Sequence, residues 1–298
     1  MNSANKPHND APTLGTVGII GLGLMGGSLG LALRRRHLAA TVIGCGREAL
    51  VSRAIEMGAI DRGTQDAAKV AEECDVIFLC TPVETSIGLM RLIAPRLKPS
   101  AVITDVGSTK QAFAEAAREI FNASAAERVL PGHPMAGSEK SGLENAVESL
   151  YDGCLWLLTP LGHRAALQQD ALRRALKGLG ARLADVSPNE HDRTLAYTSH
   201  LPQILSSVLA MTLEAQFGSA ENPALELHAG GLESMLRLAA GDPAMWTQIV
   251  QCNPRNIATA LERFEVELRH LRLCLEDAEF RRRFEAARDF AITLRTKK

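Results

Sequence analysis

Two stretches in the first half of the chain hold residues whose types and spacing could do chemistry. The first is Gly21-Leu-Gly-Leu-Met-Gly26, which follows the apolar run Thr16-Val-Gly-Ile-Ile20 and opens into Ser28-Leu-Gly-Leu-Ala-Leu33, a run with helical spacing. In the order strand, turn, helix, the first glycine permits a tight turn. The second lets the main chain approach a pyrophosphate, and the third lets the helix pack closely on the strand. Exposed N–H groups and the positive end of the helix then hold the anion. Gly21, Gly23, Leu24, Met25 and Gly26 are the expected contacts of a nicotinamide dinucleotide. When the ribose 2′-hydroxyl is free, an acidic residue usually ends the second strand, about 20 residues on. Here Gly44-Cys-Gly-Arg-Glu48 has no aspartate at that place, and Arg47 can meet a 2′-phosphate. The cofactor is expected to be NADP or NAD, with NADP favoured; an Arg47 that merely caps a surface turn is the alternative.

The second stretch is Pro131-Gly-His-Pro-Met-Ala-Gly-Ser-Glu-Lys-Ser-Gly142. It follows Arg128-Val-Leu130, read as a strand, so His133 should lie just past a strand, on the side of an α/β sheet where ligands bind. With an ordinary pKa near 6.5, its imidazole can take a proton at neutral pH. Two other strand ends face the same way. Cys80-Thr-Pro-Val-Glu84 offers Thr81 and Pro82 as a wall beside the cofactor, and Asp105-Val-Gly-Ser-Thr-Lys110 offers the hydroxyl of Ser108. Ser108 or Thr109 could equally be a plain helix N-cap.

These residues need a frame that brings strand ends together. Thr16–Ile20, Thr41–Gly44, Asp75–Cys80, Ala101–Asp105, Arg128–Leu130 and Leu155–Leu158 are near-continuously apolar, as in strands covered on both faces, and helical runs separate them. An α/β, doubly wound Rossmann-type sheet follows, in a dinucleotide-binding domain over residues 13–187 whose last strand is Arg182–Val186. Residues 1–12 read as a disordered lead-in. From Pro188 onward apolar residues recur three or four apart, notably over 190–217 and 247–273, which predicts an all-helical second domain over 188–298. Its helices carry few polar positions for a lone bundle, so a homodimer through this domain is expected.

With 298 residues, 46% of them hydrophobic and 22% charged, the chain can bury two cores. A formal net charge of -1 provides no field for nucleic acid or anionic lipid. The six cysteines form no close pair of the kind that binds zinc, and no histidines are spaced for a metal, so no metal is expected. With no apolar signal core and no apolar run of about 18 residues, the expected location is the cytoplasm, without a membrane partner.

The runs GHPMAGSEKSG and DVGSTK, with GLGLMGGSLGLAL before them and YTSHLPQ after, resemble the prephenate/arogenate (cyclohexadienyl) dehydrogenase family, from about Val17 to about Phe264. The resemblance implies oxidative decarboxylation in tyrosine biosynthesis. Hydride leaves the ring carbon bearing the 4-hydroxyl for NAD(P), carbon dioxide departs and the ring becomes aromatic. His133 matches the family's catalytic base, and Ser108 would hydrogen-bond His133 or the substrate hydroxyl. Arg237 would bind a substrate carboxylate, with Trp246 close by, and His200 would line the same pocket. Ser138 and Glu139 fall where the family has polar residues on the substrate side. His163, His191 and His228 match none of these runs. A β-hydroxyacid or imine-reducing dehydrogenase with the same glycine turn, and a non-catalytic dinucleotide sensor, are the rival readings. As the last helical run ends close to Lys298, feedback by tyrosine is expected to act at the active site rather than through an appended regulatory domain.

Overall fold

The computed structural model describes residues 14–137, 140–162 and 167–296. Strands and helices alternate at first: β1 (Leu14–Ile20), α1 (Leu24–Arg35), β2 (Ala39–Cys45), α2 (Glu48–Glu56), β3 (Arg62–Thr64), α3 (Ala67–Glu73), β4 (Val76–Leu79), α4 (Val83–Ile93), β5 (Val102–Asp105) and α5 (Gln111–Phe121). The five strands form one parallel sheet in the order β3-β2-β1-β4-β5. All four residues of β4 and of β5 are buried, which is why these runs read as continuously apolar. Chain order reverses between β1 and β4. A crevice therefore opens at their carboxyl ends, where such sheets bind ligands.

The next strands depart from the single sheet expected from the sequence. After α6 (Ala125–Arg128) the run Arg128–Leu130 makes only one parallel bridge, Val129 to Ile103. Pro131 then has no N–H with which to continue that ladder. The chain instead turns into β6 (Gly132–Pro134), so His133 lies within a strand rather than past one. β6 pairs antiparallel with β7 (Leu155–Leu158), and β7 pairs parallel with β8 (Arg182–Asp185) after α7 (Leu167–Gly178). These three form a separate small sheet, in which β8 is the last strand of the chain among the described residues.

Among the described residues every regular element after Asp185 is a helix. α8 (Pro188–Leu195) begins where the Ser187 side chain accepts the Glu190 N–H, with proline at its first position. A single π-helical turn, Ala196–His200, joins it without a break to α9 (Leu201–Phe217). α10 (Gly230–Leu236) and a 3₁₀ turn, Arg237–Ala240, lead to α11 (Pro243–Cys252). Pro254 ends the pattern read as one segment over 247–273, and α12 (Pro254–Leu273) starts afresh. α13 (Ala278–Thr296) has no buried residue. Two large apolar cores, one around Val17, Phe78 and Trp156 and one around Ile77, Ile103 and Phe113, hold the sheet half. In the helical half the buried cluster is only Ala196, Ile257 and Ala260.

Candidate active site

Each glycine of the turn after β1 has its own physical reason. Gly21 has φ +104°, and a Cβ there would stand 2.5 Å from the Cys80 carbonyl oxygen and 2.8 Å from Cγ2 of Thr81. A Cβ at Gly26 would lie 2.0 Å from the Gly21 carbonyl oxygen, so helix α1 packs directly on the turn. At Gly23 a Cβ would meet nothing within 4 Å: this position borders open space. Gly23 caps α1 without a side chain, and the first turn holds no acidic residue, so the helix N-terminus is free for an anion. Leu24 and Met25 are half-buried beside it, with the Met25 carbonyl fixed by the Tyr151 hydroxyl at 2.7 Å. Thr81 bonds Ser86 at 2.8 Å, and Pro82 starts α4, so both stand at the β4 end against Gly21. Together these features fit a dinucleotide pyrophosphate. Arg47 caps α2 through its main chain, and its side chain is exposed, with no partner among the described residues.

At the end of β5 the carboxylate of Asp105 accepts from Gly132 N at 3.0 Å and Gly107 N at 2.9 Å. The fully buried Lys110 ammonium pairs with the same group. This ties the Asp105–Lys110 loop to β6 and sets the position of His133. The His133 ring is 8% exposed, and its Nδ1 lies 2.9 Å from Nε2 of His191. Nδ1 of His191 is in turn 2.7 Å from Oδ1 of Asp192. Both Asp192 oxygens also cap α5, accepting from Lys110 N at 2.7 Å and Gln111 N at 2.9 Å. Asn253 donates to the Asp192 carbonyl at 2.7 Å and lies 3.4 Å from Nδ1 of His200. His200 is fully buried on the π-helical turn, and its Nε2 has no hydrogen-bond partner among the described residues. The ring of Trp246 meets it edge-on, centroid to centroid 6.1 Å.

Burial dominates the electrostatics here. It pulls the pKa of His133 well below the usual 6.5, helped by the neighbouring His191, Lys110 and His200, so the ring is neutral at physiological pH. His200 is lowered to about 4 by burial, with Asp192 opposing and His191 adding to the shift.

Two readings from the sequence change. His133 turns its Nδ1 to His191 and not to Ser108, which is half-buried and makes no side-chain hydrogen bond among the described residues. Neither Ser108 nor Thr109 caps α5, because Asp192 occupies that place. Ser138, Glu139 and His163 lie outside the described residues. Arg237 is exposed at the start of its 3₁₀ turn, apart from the His133 chain of contacts and without a side-chain partner among the described residues. Sequence reasoning missed His191, Asp192, Lys110 and Asn253. Their only signal is a pair of titratable residues just after the Ser187-Pro188 helix start.

A parallel sheet with a phosphate-binding turn at its switch point, and a neutral imidazole at the same edge, define a nicotinamide-dependent dehydrogenase. The family model described as prephenate dehydrogenase, nucleotide-binding domain, matches residues 29–185, and the one described as prephenate dehydrogenase, dimerization domain, matches residues 187–287. The chain belongs to the prephenate dehydrogenase family. It is 34% identical to a prephenate dehydrogenase of Lactococcus lactis over 86% of this chain and 70% of that one. The crystal structure of Aquifex aeolicus prephenate dehydrogenase, in complex with hydroxyphenyl propionate and NAD+, superposes with a TM-score of 0.86 at 30% identity, covering 94% of this chain and 98% of that one. Synechocystis arogenate dehydrogenase superposes with a TM-score of 0.79 at 28% identity, over 94% and 99% of the two chains.

Proposed function

We propose that this dehydrogenase oxidatively decarboxylates prephenate, arogenate or both, with His133 as general base. The observation that carries this reading is the buried, neutral His133 ring on the ligand edge of the sheet, with the unpartnered Nε2 of His200 in the same chain of contacts. Bound NAD(P)+, cradled by Gly21, Gly23, Leu24, Met25 and Gly26 beside Thr81 and Pro82, supplies the hydride acceptor. His133 takes the proton of the substrate 4-hydroxyl as the C4–H bond gives up its hydride and C4 becomes a carbonyl. The bond to the ring carboxylate then breaks, its electrons pass through the ring to the C4 oxygen, carbon dioxide leaves, and His133 returns the proton to give a phenol. General base assistance contributes about 10² to 10⁴ in rate.

Asn253 donates to Nδ1 of His200, which leaves the proton of that ring on Nε2, with no acceptor among the described residues. A buried donor without an acceptor suits a substrate carboxylate. Arg237 supplies a guanidinium for a second carboxylate, and Trp246 an apolar wall. Ser108, released from helix capping, meets the substrate hydroxyl, while Ser138 and Glu139 stay assigned to the substrate side by family likeness. Arg47 has no side-chain partner among the described residues and stands at the end of β2, which supports NADP alongside NAD. The enzyme works as a homodimer through residues 188–298 and in the cytoplasm; no described helix is long and apolar enough to cross a membrane.

Steady-state kinetics with prephenate, arogenate and a panel of β-hydroxyacids, each with NAD and NADP, tests the reading. Turnover confined to the two cyclohexadienyl substrates is expected. Preferential oxidation of a β-hydroxyacid would overturn it.

A further inference from the structure

We infer that His191 and Asp192 are positioning residues: a two-residue relay behind His133 that fixes its tautomer and aims a bare Nε2 at the substrate hydroxyl. The inference rests on reading His133 as the base, and it begins at the far end of the chain of bonds. Asp192 receives three donors at once, the main-chain N–H groups of Lys110 and Gln111 and the ring of His191. An ionised carboxylate only accepts, so Nδ1 of His191 carries a proton. With one proton on each ring, His191 then presents a lone pair at Nε2. That atom faces Nδ1 of His133 at 2.9 Å, and two lone pairs do not face each other at this distance. The proton between the rings then belongs to His133 Nδ1, which leaves Nε2 of His133 bare. Main-chain geometry at α5 thus dictates, two side chains away, which nitrogen of the base is free.

The same relay prepares for charge. When Nε2 of His133 takes the substrate proton, the ring becomes an imidazolium in a site that excludes water, which is costly for an unpaired cation. Lys110 cannot help, since it is a cation already paired with Asp105. Asp192 is the carboxylate one ring away, and the two intervening hydrogen bonds strengthen as charge develops on His133. Asp192 belongs to α8 in the helical half, whereas the helix end it caps belongs to the dinucleotide half. The base is therefore oriented only when the two halves are docked. Because Asp192 caps α5, the hydroxyl of Ser108 is also left free of that task.

Long-range ¹H–¹⁵N NMR of the histidine-labelled free enzyme near pH 7.5 tests the tautomer without any substrate. His133 is expected to show a protonated Nδ1 and a bare Nε2. In His191→Leu, which cannot accept, that preference is lost and kcat falls about 10²-fold, while KM for substrate and cofactor changes less than about threefold. His191→Gln, whose side-chain carbonyl can still accept, recovers kcat to within about tenfold of the parent. A wild-type His133 with its proton on Nε2 overturns the relay, and so does a folded His191→Leu that keeps both tautomer and turnover. Since the tautomer is read in the free enzyme, an error in the assigned substrate would leave that result standing.

Discussion

As the proposed base, His133 must be neutral to act and must tolerate charge once it has acted. Burial lowers its pKa well below 6.5, so its base form is full at neutral pH, and the acidic limb of the kcat/KM profile lies well under that value. His133→Asn keeps the ring's approximate size but has no comparable base. It should lower kcat by about 10² to 10⁴ while KM stays near the parent value, read in initial-rate kinetics. His200, proposed to meet a substrate carboxylate, also bears on stability. Its folded pKa of about 4 lies below the ordinary 6.5, so between those values the unfolded chain takes up a proton that the native state refuses. Stability therefore falls on acidification through this window, by on the order of 3 kcal/mol for this ring alone. His200→Gln should flatten the loss of melting temperature between pH 6.5 and 4; an unchanged slope would place the acid sensitivity elsewhere. Of this constellation, His133 and His200 are legible in the sequence because each sits in an unusual run. His191 and Asp192 are not, since their partners Lys110, Gln111 and His133 lie 58 to 82 residues away in the chain.

At the scale of elements, the strands that are buried on both faces announce themselves by composition, and β1, β2, β4, β5 and β7 stand where their apolar runs stand. β3 and β6 do not. Arg62-Gly-Thr64 has no apolar content and exists because the edge of β2 is there to pair with it. Gly132-His-Pro134 contains two residues that usually disfavour strands, and is held by β7 on one side and Asp105 on the other. The turn after β1 makes a sharp element-level prediction because its glycines differ in surroundings. Gly23→Val adds bulk where there is open space, so the protein should fold with a near-parent melting temperature. The KM for dinucleotide should nevertheless rise at least about tenfold, since the added side chain occupies the pyrophosphate approach. Gly26→Ala places a methyl 2.0 Å from a carbonyl oxygen and should cost the fold itself, seen as a lowered melting temperature or loss of soluble protein.

The whole molecule is unbalanced in its burial. Its dinucleotide half has two broad cores, while the buried apolar cluster of its helical half is Ala196, Ile257 and Ala260, and many large side chains there stand in the open. Phe284, Phe290, Ile292 and Leu294 on α13 are all more than half exposed, and Phe290 is 71% exposed. A groove of about 880 Å³, lined by Ile204, Val208, Met211, Trp246 and Val250 among others, runs along α9 and α11. An isolated chain would leave this apolar surface in water at a cost of roughly 25 cal/mol per Å². A helix such as α13, with no buried residue, gains little stability from its surface ion pairs, which solvent screens. A second copy that covers the groove and α13 resolves both problems, in keeping with the dimerization domain matched over residues 187–287. Light scattering should therefore give the mass of two chains. Introducing charge with Phe290→Asp and Leu294→Asp together should shift the mass toward one chain, while dinucleotide binding by the sheet half persists within about threefold. If the doubly substituted protein stayed dimeric, α13 would lie outside the interface, and the groove along α9 would have to be covered by another part of the second copy.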